Sequence, residues 1–361
     1  MKRKRALIVK MGAIGDVIMT LPAAYRLHEE GWEVHWICGK VVAPLLDCYP
    51  WVRRIVVDEK AIMVGAPLRR MSAIARLWRK LAFVRYDLCA TLNFDWRYRI
   101  LTLPVRAGRR VALTRNSREA NLIPGRSYAD EFARLLMGAE DTCREVSLQP
   151  LIPDRLPSSP LAPGTAPRRV AIVPGGAGNF HLQLTLRRWP IESYVSLARA
   201  LKQRGWEIVL TGGSEDDWVR SHFEGIDVTD CIGKLSIPEV LSLFNSCDAV
   251  VSHDTGPMHL AGVSQACLVA IFGPTQPGRF LPRRNSVVGI WRGEGFACRP
   301  CHDGQTFAPC RFAGCMHQVG LDMVIGELDR LLDARSARKP LPCRIVVPGT
   351  ELVGGSEDCS Q

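Results

Sequence analysis

The stretch Ala6-Leu7-Ile8-Val9-Lys10-Met11-Gly12-Ala13-Ile14-Gly15-Asp16-Val17 decides how the rest of the chain is read. Four apolar residues make a short buried strand, and Gly12 and Gly15 permit a tight turn into a helical pattern over 17–30. Strand, glycine turn and helix in that order open a doubly wound α/β sheet. The turn lacks the Gly-x-Gly-x-x-Gly spacing that cradles a dinucleotide, so NAD binding is disfavoured. Asp16 falls near the start of the helix. A carboxylate there either caps the helix or stands at the mouth of a ligand cleft, where it can act as a general base.

The same alternation continues outward from this stretch. Strands are expected at 6–9, 33–38, 54–57, 88–92 and 110–112, with helices at 17–30 and 73–83. Pro153, Pro157, Pro160, Pro163 and Pro167 then punctuate a linker. A second series follows at once, with strands at 170–173, 207–211, 249–252 and 268–271 and helices at 191–204 and 238–245. The expected organisation is a Rossmann-like domain over 1–152, a proline-rich linker over 153–168, a second Rossmann-like domain over 169–335, and a loosely ordered tail over 336–361. A ligand cleft is expected between the halves, beyond the carboxyl ends of the strands.

Composition narrows the function classes. With 361 residues, 47% hydrophobic and 23% charged, the chain can bury two cores and is not of disordered composition. No apolar run approaches the length that spans a bilayer. The basic opening, residues 1–5, precedes only four apolar residues, too few for a secretory signal, so a cytoplasmic protein is expected. Residues 1–150 hold 26 Lys and Arg against 15 Asp and Glu, whereas the remainder holds 21 of each. The whole surplus of +11 thus lies in the first half, which either solubilises that half or meets an anionic partner.

Polar residues gather at strand ends in the second half. Ser252-His253-Asp254-Thr255-Gly256-Pro257-Met258-His259 follows a strand and opens a helix, an arrangement suited to a diphosphate. Asp254 could instead simply cap that helix. Phe272-Gly273-Pro274-Thr275 follows the next strand as a rigid turn. Upstream, Pro174-Gly175-Gly176-Ala177-Gly178-Asn179 offers backbone donors.

The pairing of Gly12-Ala13-Ile14-Gly15-Asp16-Val17 and Leu21-Pro22 with Asp254-Thr255-Gly256-Pro257-Met258-His259 and Phe272-Gly273-Pro274-Thr275 resembles glycosyltransferase family 9, the ADP-heptose:lipopolysaccharide heptosyltransferases. The resemblance runs from about residue 5 to residue 333. It implies a GT-B fold with an acceptor-binding first half and a donor-binding second half, and inverting transfer without a catalytic metal. Asp16 would be the general base. Gly15, Gly175, Gly176, Asp254, Thr255, Gly256, His259 and Thr275 would hold the donor, with Glu215 near the ribose. Arg187 stands where the family often has lysine, and a guanidinium can grip a diphosphate in bidentate fashion. The stretch 180–186 is longer than the resemblance implies and is expected to form a lid.

Cys298, Cys301, Cys310 and Cys315, with His302 and His317 beside them, have spacing compatible with a structural zinc site, iron being the alternative. Four free thiols remain the plain reading. The basic amphipathic stretch from Leu68 to Leu81 could rest on anionic lipid or be an ordinary surface helix. The expected function is heptose transfer from ADP-heptose to a lipopolysaccharide core or a related anionic acceptor, with possible contact at the inner face of the membrane. The alternatives are transfer from another nucleotide sugar to a protein or other polysaccharide and, more remotely, an epimerase or a non-enzymatic metal- or nucleic-acid-binding protein. Nucleic acid is not an expected partner, because the basic residues carry no helix-turn-helix, zinc-finger or RNA-binding pattern.

Overall fold

The computed structural model describes residues 3–113, 127–138, 149–164, 166–179, 182–292, 296, 298, 301, 309–310 and 312–347. The chain divides into two compact units, Met1–Arg155 and Leu156–Gln361.

The first unit holds β1 (Arg5–Val9), β2 (Glu33–Gly39), β3 (Val52–Val57), β4 (Arg85–Thr91) and β5 (Arg106–Ala112). They form one parallel sheet in the order β3-β2-β1-β4-β5. Central β1 is apolar because both its faces are covered: Ala6, Leu7, Ile8 and Val9 are fully buried. The order reverses between β1 and β4, so the carboxyl end of β1 is a topological switch point. The first helix begins at Ile14, earlier than the pattern predicts, with Ala13 at its N-cap and no capping side chain. Asp16 is therefore inside the first turn and does not cap the helix. Strand β5 extends back to Arg106, beyond the expected 110–112. Its arginines hide it from an apolar pattern, and charge is what an edge strand tolerates.

The second unit holds β6 (Arg169–Val173), a short antiparallel pair β7 (Gly178–Asn179) and β8 (Leu182–Gln183), then β9 (Glu207–Leu210), β10 (Thr229–Asp230), β11 (Ala249–His253), β12 (Cys267–Phe272), β13 (Val287–Trp291) and β14 (Arg344–Val346). Its main sheet is parallel in the order β10-β9-β6-β11-β12-β13-β14, with a switch point between β6 and β11. Every residue of β6, β11 and β12 is buried. Trp189 and Tyr194 pack edge to face at 4.9 Å in the same core, which the helix Leu321–Ser336 covers with Val324, Leu328, Leu331 and Leu332. Each such aliphatic side chain contributes about 1.5–3 kcal/mol of burial.

Strand β14 corrects the expected loose tail: residues 344–346 add an edge strand to β13. The proline-rich segment is tied at both ends rather than free. Tyr49 Oη donates to Leu151 O at 2.9 Å in the first unit, and Ser242 Oγ donates to Pro157 O at 2.8 Å in the second. Of the expected lid, residues 180–181 lie outside the described residues; 182–183 pair with 178–179, and Thr185–Arg187 is a turn of 3₁₀ helix. Among the described residues no helix is long and apolar enough to cross a membrane.

Candidate active site

Beyond the carboxyl ends of β6, β9 and β11, three short segments of the second unit meet. After β6 the chain turns through Gly175 and Gly176, the latter at φ +80°. A Cβ on Gly176 would lie 2.7 Å from Thr255 Oγ1, and one on Gly175 would collide with the carboxylate of Asp216. Only glycine allows so close an approach. The glycine loop is then pinned from both sides. Thr255 Oγ1 accepts from Ala177 N at 3.0 Å across the switch point, and Asp216 Oδ1 accepts from Gly176 N at 2.7 Å. Asp216 Oδ2 accepts from Gly213 N at 2.8 Å, so one buried carboxylate joins two loops. Arg188 donates twice to Gly176 O, at 2.9 and 2.7 Å, while its guanidinium covers the Trp218 ring at 5.0 Å.

Asp254, after β11, is 2% exposed. Its Oδ2 accepts from Arg187 Nη1 at 3.1 Å and from Thr275 Oγ1 at 2.6 Å. Burial alone would raise its pKa. The charge of Arg187, the Thr275 hydrogen bond and the charge of His259 outweigh that and hold the carboxyl below its ordinary value. Next to it, burial and then the charge of Arg187 push His253 down to about 3, so this imidazole is neutral at physiological pH. Its Nδ1 meets Tyr194 Oη at 3.0 Å. Among the described residues Arg187 Nε and Thr211 Oγ1 are buried without a hydrogen-bond partner, an arrangement a polar ligand would complete.

In the first unit, Lys10 follows β1 and is 3% exposed. Its Nζ donates to Leu92 O at 2.8 Å, lies 2.9 Å from Asp16 Oδ2 and sits 4.9 Å above the Phe132 ring. Lys10 thus bridges the switch point from β1 to the end of β4 and presents its charge to Asp16, whose side chain is 34% exposed. Nearby, Tyr98 Oη donates to Glu59 Oε1 at 2.6 Å, and Glu59 Oε2 approaches within 3.6 Å of where a Gly12 Cβ would stand.

Residues 168–310 match the model of glycosyltransferase family 9 (heptosyltransferase). Across 91% of this chain and 97% of the relative, the sequence is 22% identical to the lipopolysaccharide core heptosyltransferase OpsX of Haemophilus influenzae. It is 27% identical to lipopolysaccharide heptosyltransferase 1 of Pseudomonas aeruginosa, over 82% of this chain and 86% of the relative. Residues 168–310 therefore carry a glycosyltransferase family 9 domain, and most of the chain is similar to heptosyltransferases of that family.

Solved structures extend the likeness in fold to both units. The family 9 glycosyl transferase of Veillonella parvula matches with a TM-score of 0.71 at 18% identity, over 92% of this chain and 98% of its own. Escherichia coli ADP-heptose heptosyltransferase II matches at 0.69 and 19%, over 92% and 99%. The two Rossmann-like units are those of the GT-B fold.

Several predicted site residues of this glycosyltransferase come together in the second unit: Gly175, Gly176, Arg187, Asp254, Thr255 and Thr275. Gly256 and His259 lie on the helix Gly256–Gly262, with His259 5% exposed. Of the two readings of Asp254, the helix cap is not what forms, because Arg187 and Thr275 engage its carboxylate. The Thr255 hydroxyl holds the glycine loop by accepting from Ala177 N. Glu215 is exposed, while its neighbour Asp216 is buried. Gly15 is buried in the first turn of the helix Ile14–Glu29, beside Asp16.

Sequence reasoning missed Lys10, Asp216 and Arg188. No motif marks Asp216, since Gly213 has no side chain to complete a capping box; the 3₁₀ turn aims its carboxylate at the Gly213 N–H. Lys10 carries no motif; only the neighbouring strand shows what it holds.

The expected zinc site is not supported among the described residues, although Cys298 and Cys310 lie near enough to Cys301 to act on its charge. Among the described residues, no three His, Cys, Asp or Glu side chains converge as metal ligands. Cys298 is exposed, Cys301 Sγ donates to Pro274 O at 3.6 Å, and Cys310 Sγ accepts from Ala313 N at 3.3 Å. Cys315 lies against the Gly273 turn, where a Cβ would meet its Sγ at 2.9 Å. His302 lies outside the described residues, and His317 stacks on Phe312 at 5.1 Å. The iron-containing dodecameric glycosyltransferase TibC of E. coli is a structural neighbour at a TM-score of 0.57 and 15% identity, over 93% of this chain and 78% of its own, which speaks to fold alone.

Proposed function

We propose that this glycosyltransferase moves heptose from ADP-heptose to a hydroxyl of a lipopolysaccharide core acceptor, inverting the anomeric centre. The carrying observation is the buried cluster of the second unit: Asp254 gripped by Arg187 and Thr275 beside a glycine loop with no room for a side chain. Gly175, Gly176 and Arg187 would face the donor diphosphate, with Thr255 holding the loop in place. The guanidinium of Arg187 uses one N–H on Asp254 and keeps others for phosphate oxygens. His259 and Thr275 would set the position of Asp254, and Gly256 would let the donor approach the backbone.

Asp16 serves as the general base. It takes the proton of the acceptor hydroxyl as that oxygen attacks the sugar C1 from the face opposite the diphosphate. The C1–O bond to the β-phosphate breaks, and ADP leaves with charge that Arg187 and the loop N–H groups stabilise. Base, guanidinium and backbone donors fill every role, so no step is assigned to a metal. The Haemophilus, Pseudomonas and Escherichia relatives bear heptosyltransferase names, which supports heptose and lipopolysaccharide over other sugars and acceptors. The positive surplus of residues 1–150 supports an anionic acceptor for the first unit, met at the cytoplasmic face of the inner membrane.

Calorimetric titration with ADP-heptose, UDP-hexose and GDP-hexose tests the reading. ADP-heptose should bind selectively, Asp254→Ala should abolish that binding, and Asp16→Asn should keep it while losing transfer by a factor on the order of 10³. Binding of none of the three, or an Asp254→Ala protein that binds as the parent does, would overturn the assignment.

A further inference from the structure

The helix Pro67–Leu81 of the first unit carries Arg69, Arg70, Arg76, Arg79 and Lys80 and no acidic residue. At about 100° per residue its side chains sort into three strips. Leu77 and Leu81 are buried inward. Leu68 and Met71 point outward at 82% and 67% exposure, with exposed Ala75 one turn on and exposed Arg79 ending the strip one turn beyond it. Arg69, Arg76 and Lys80 align along one flank, all exposed, and none is in an ion pair among the described residues. Phe83 follows the helix at 95% exposure. An apolar strip beside a row of unpaired cations is costly to leave in water alone and is matched by the headgroup layer of an anionic bilayer.

A cleft adds a second observation. Between the C-terminal half of this helix and the edge strand β3 lies a cavity of about 390 Å³. Ile55, Val57, Ala73 and Leu77 give it apolar walls, and Arg76, Arg79 and Lys80 also line it. The one carboxylate lining it, Asp58, is held by Lys40 Nζ at 2.6 Å and caps the next helix through Ala61 N.

We propose that this face is a docking surface for the anionic phospholipid bilayer, with headgroup phosphates along Arg69, Arg76 and Lys80 and acyl carbon against Leu68, Met71, Phe83 and the cleft. The inference deepens the proposed function by giving the enzyme a place beside a membrane-borne acceptor, and it rests on that reading only there. Lipid binding itself does not depend on which donor the second unit takes.

Co-sedimentation of the full chain with vesicles tests it. Vesicles of phosphatidylcholine mixed with phosphatidylglycerol should bind at least about tenfold more tightly than phosphatidylcholine alone, and salt should weaken the difference. The triple variant Arg69→Glu, Arg76→Glu, Lys80→Glu should lose on the order of a hundredfold of that binding with an unchanged circular dichroism spectrum. Leu68→Ser with Met71→Ser should remove the part that persists in high salt. Equal partition onto neutral vesicles, or a charge-reversed protein that still sediments like the parent, would overturn the proposal. So would loss of vesicle binding to inorganic phosphate at matched ionic strength, which would mark a phosphate site instead. ADP-heptose titration of the same variants separates the two readings. Unaltered donor binding with lost vesicle binding supports both, and vesicle binding without donor binding overturns the proposed function alone.

Discussion

Both units end their central strand at a switch point, and both bridge that point with a side chain, yet they build opposite environments. In the first unit the bridge is Lys10, a buried cation held by a carbonyl of the neighbouring strand end, and the carboxylate it serves, Asp16, stays partly open to solvent. In the second unit the bridge is the Thr255 hydroxyl, and the carboxylates Asp254 and Asp216 are buried. A carboxylate proposed to move a proton needs access and one free oxygen. Carboxylates that shape a phosphate-binding loop need fixed partners and no water. The same topology therefore makes one open site and one locked site.

Three perturbations sharpen or break that contrast. The largest effect is expected from Asp216→Ala, which leaves Gly176 N and Gly213 N without their shared acceptor. Each stranded buried N–H costs roughly 1–3 kcal/mol, so the second unit should lose about 2–4 kcal/mol in denaturant unfolding and bind donor at least about tenfold more weakly. A loss below about 0.5 kcal/mol would mean that the loop holds its shape without this carboxylate.

Next comes a pH effect confined to the second unit. His253 titrates at about 3 when folded and near the ordinary histidine value when unfolded. Between those values the unfolded chain binds more protons, so stability falls as the pH falls from the unfolded value towards the folded one. From pH 7 to pH 5 the cost is about 2 kcal/mol. Melting curves of His253→Gln should be correspondingly flatter over that interval; a parent protein equally flat would show that His253 is not sealed from water.

The smallest effect, and the one that separates the units, is Lys10→Met. Methionine fills the buried volume and leaves Asp16 able to hydrate, so unfolding should change by no more than about 1 kcal/mol. Turnover should fall about tenfold with donor affinity unchanged, because the proposed base loses its orienting partner. If donor affinity and stability fall together instead, the first site is as locked as the second and the contrast fails.

Much of the fold was legible because parallel strands buried on both faces are continuous apolar runs. Residues 6–9, 170–173, 249–252 and 268–271 all read as strands for that reason, and all are strands. Strand β5 was only partly read because arginines interrupt it, and β14 was missed because three residues after a proline carry too little pattern. In the site, glycines and motif carboxylates were legible as residues, whereas their partners were not. Nothing local in Lys10 reveals that it reaches Leu92, and nothing in Glu215-Asp216 says which carboxylate turns inward; that depends on the phase of a 3₁₀ turn. Cysteine spacing suggested a metal, whereas only the folded chain shows Cys301 and Cys315 packed against the Gly273-Pro274 turn.

By itself the sequence determined the two α/β units, the position of each glycine turn after a strand, and the uneven charge between the halves, because these follow from local periodicity and composition. Only the tertiary structure decided that Asp254 is locked by Arg187 and Thr275, that Asp216 ties two loops, and that Lys10 orients Asp16. Arg187 and Asp254 are 67 positions apart, and Lys10 is held in place by Leu92, 82 positions away; the strand order that brings such residues within hydrogen-bond reach is set by the packing of whole sheets.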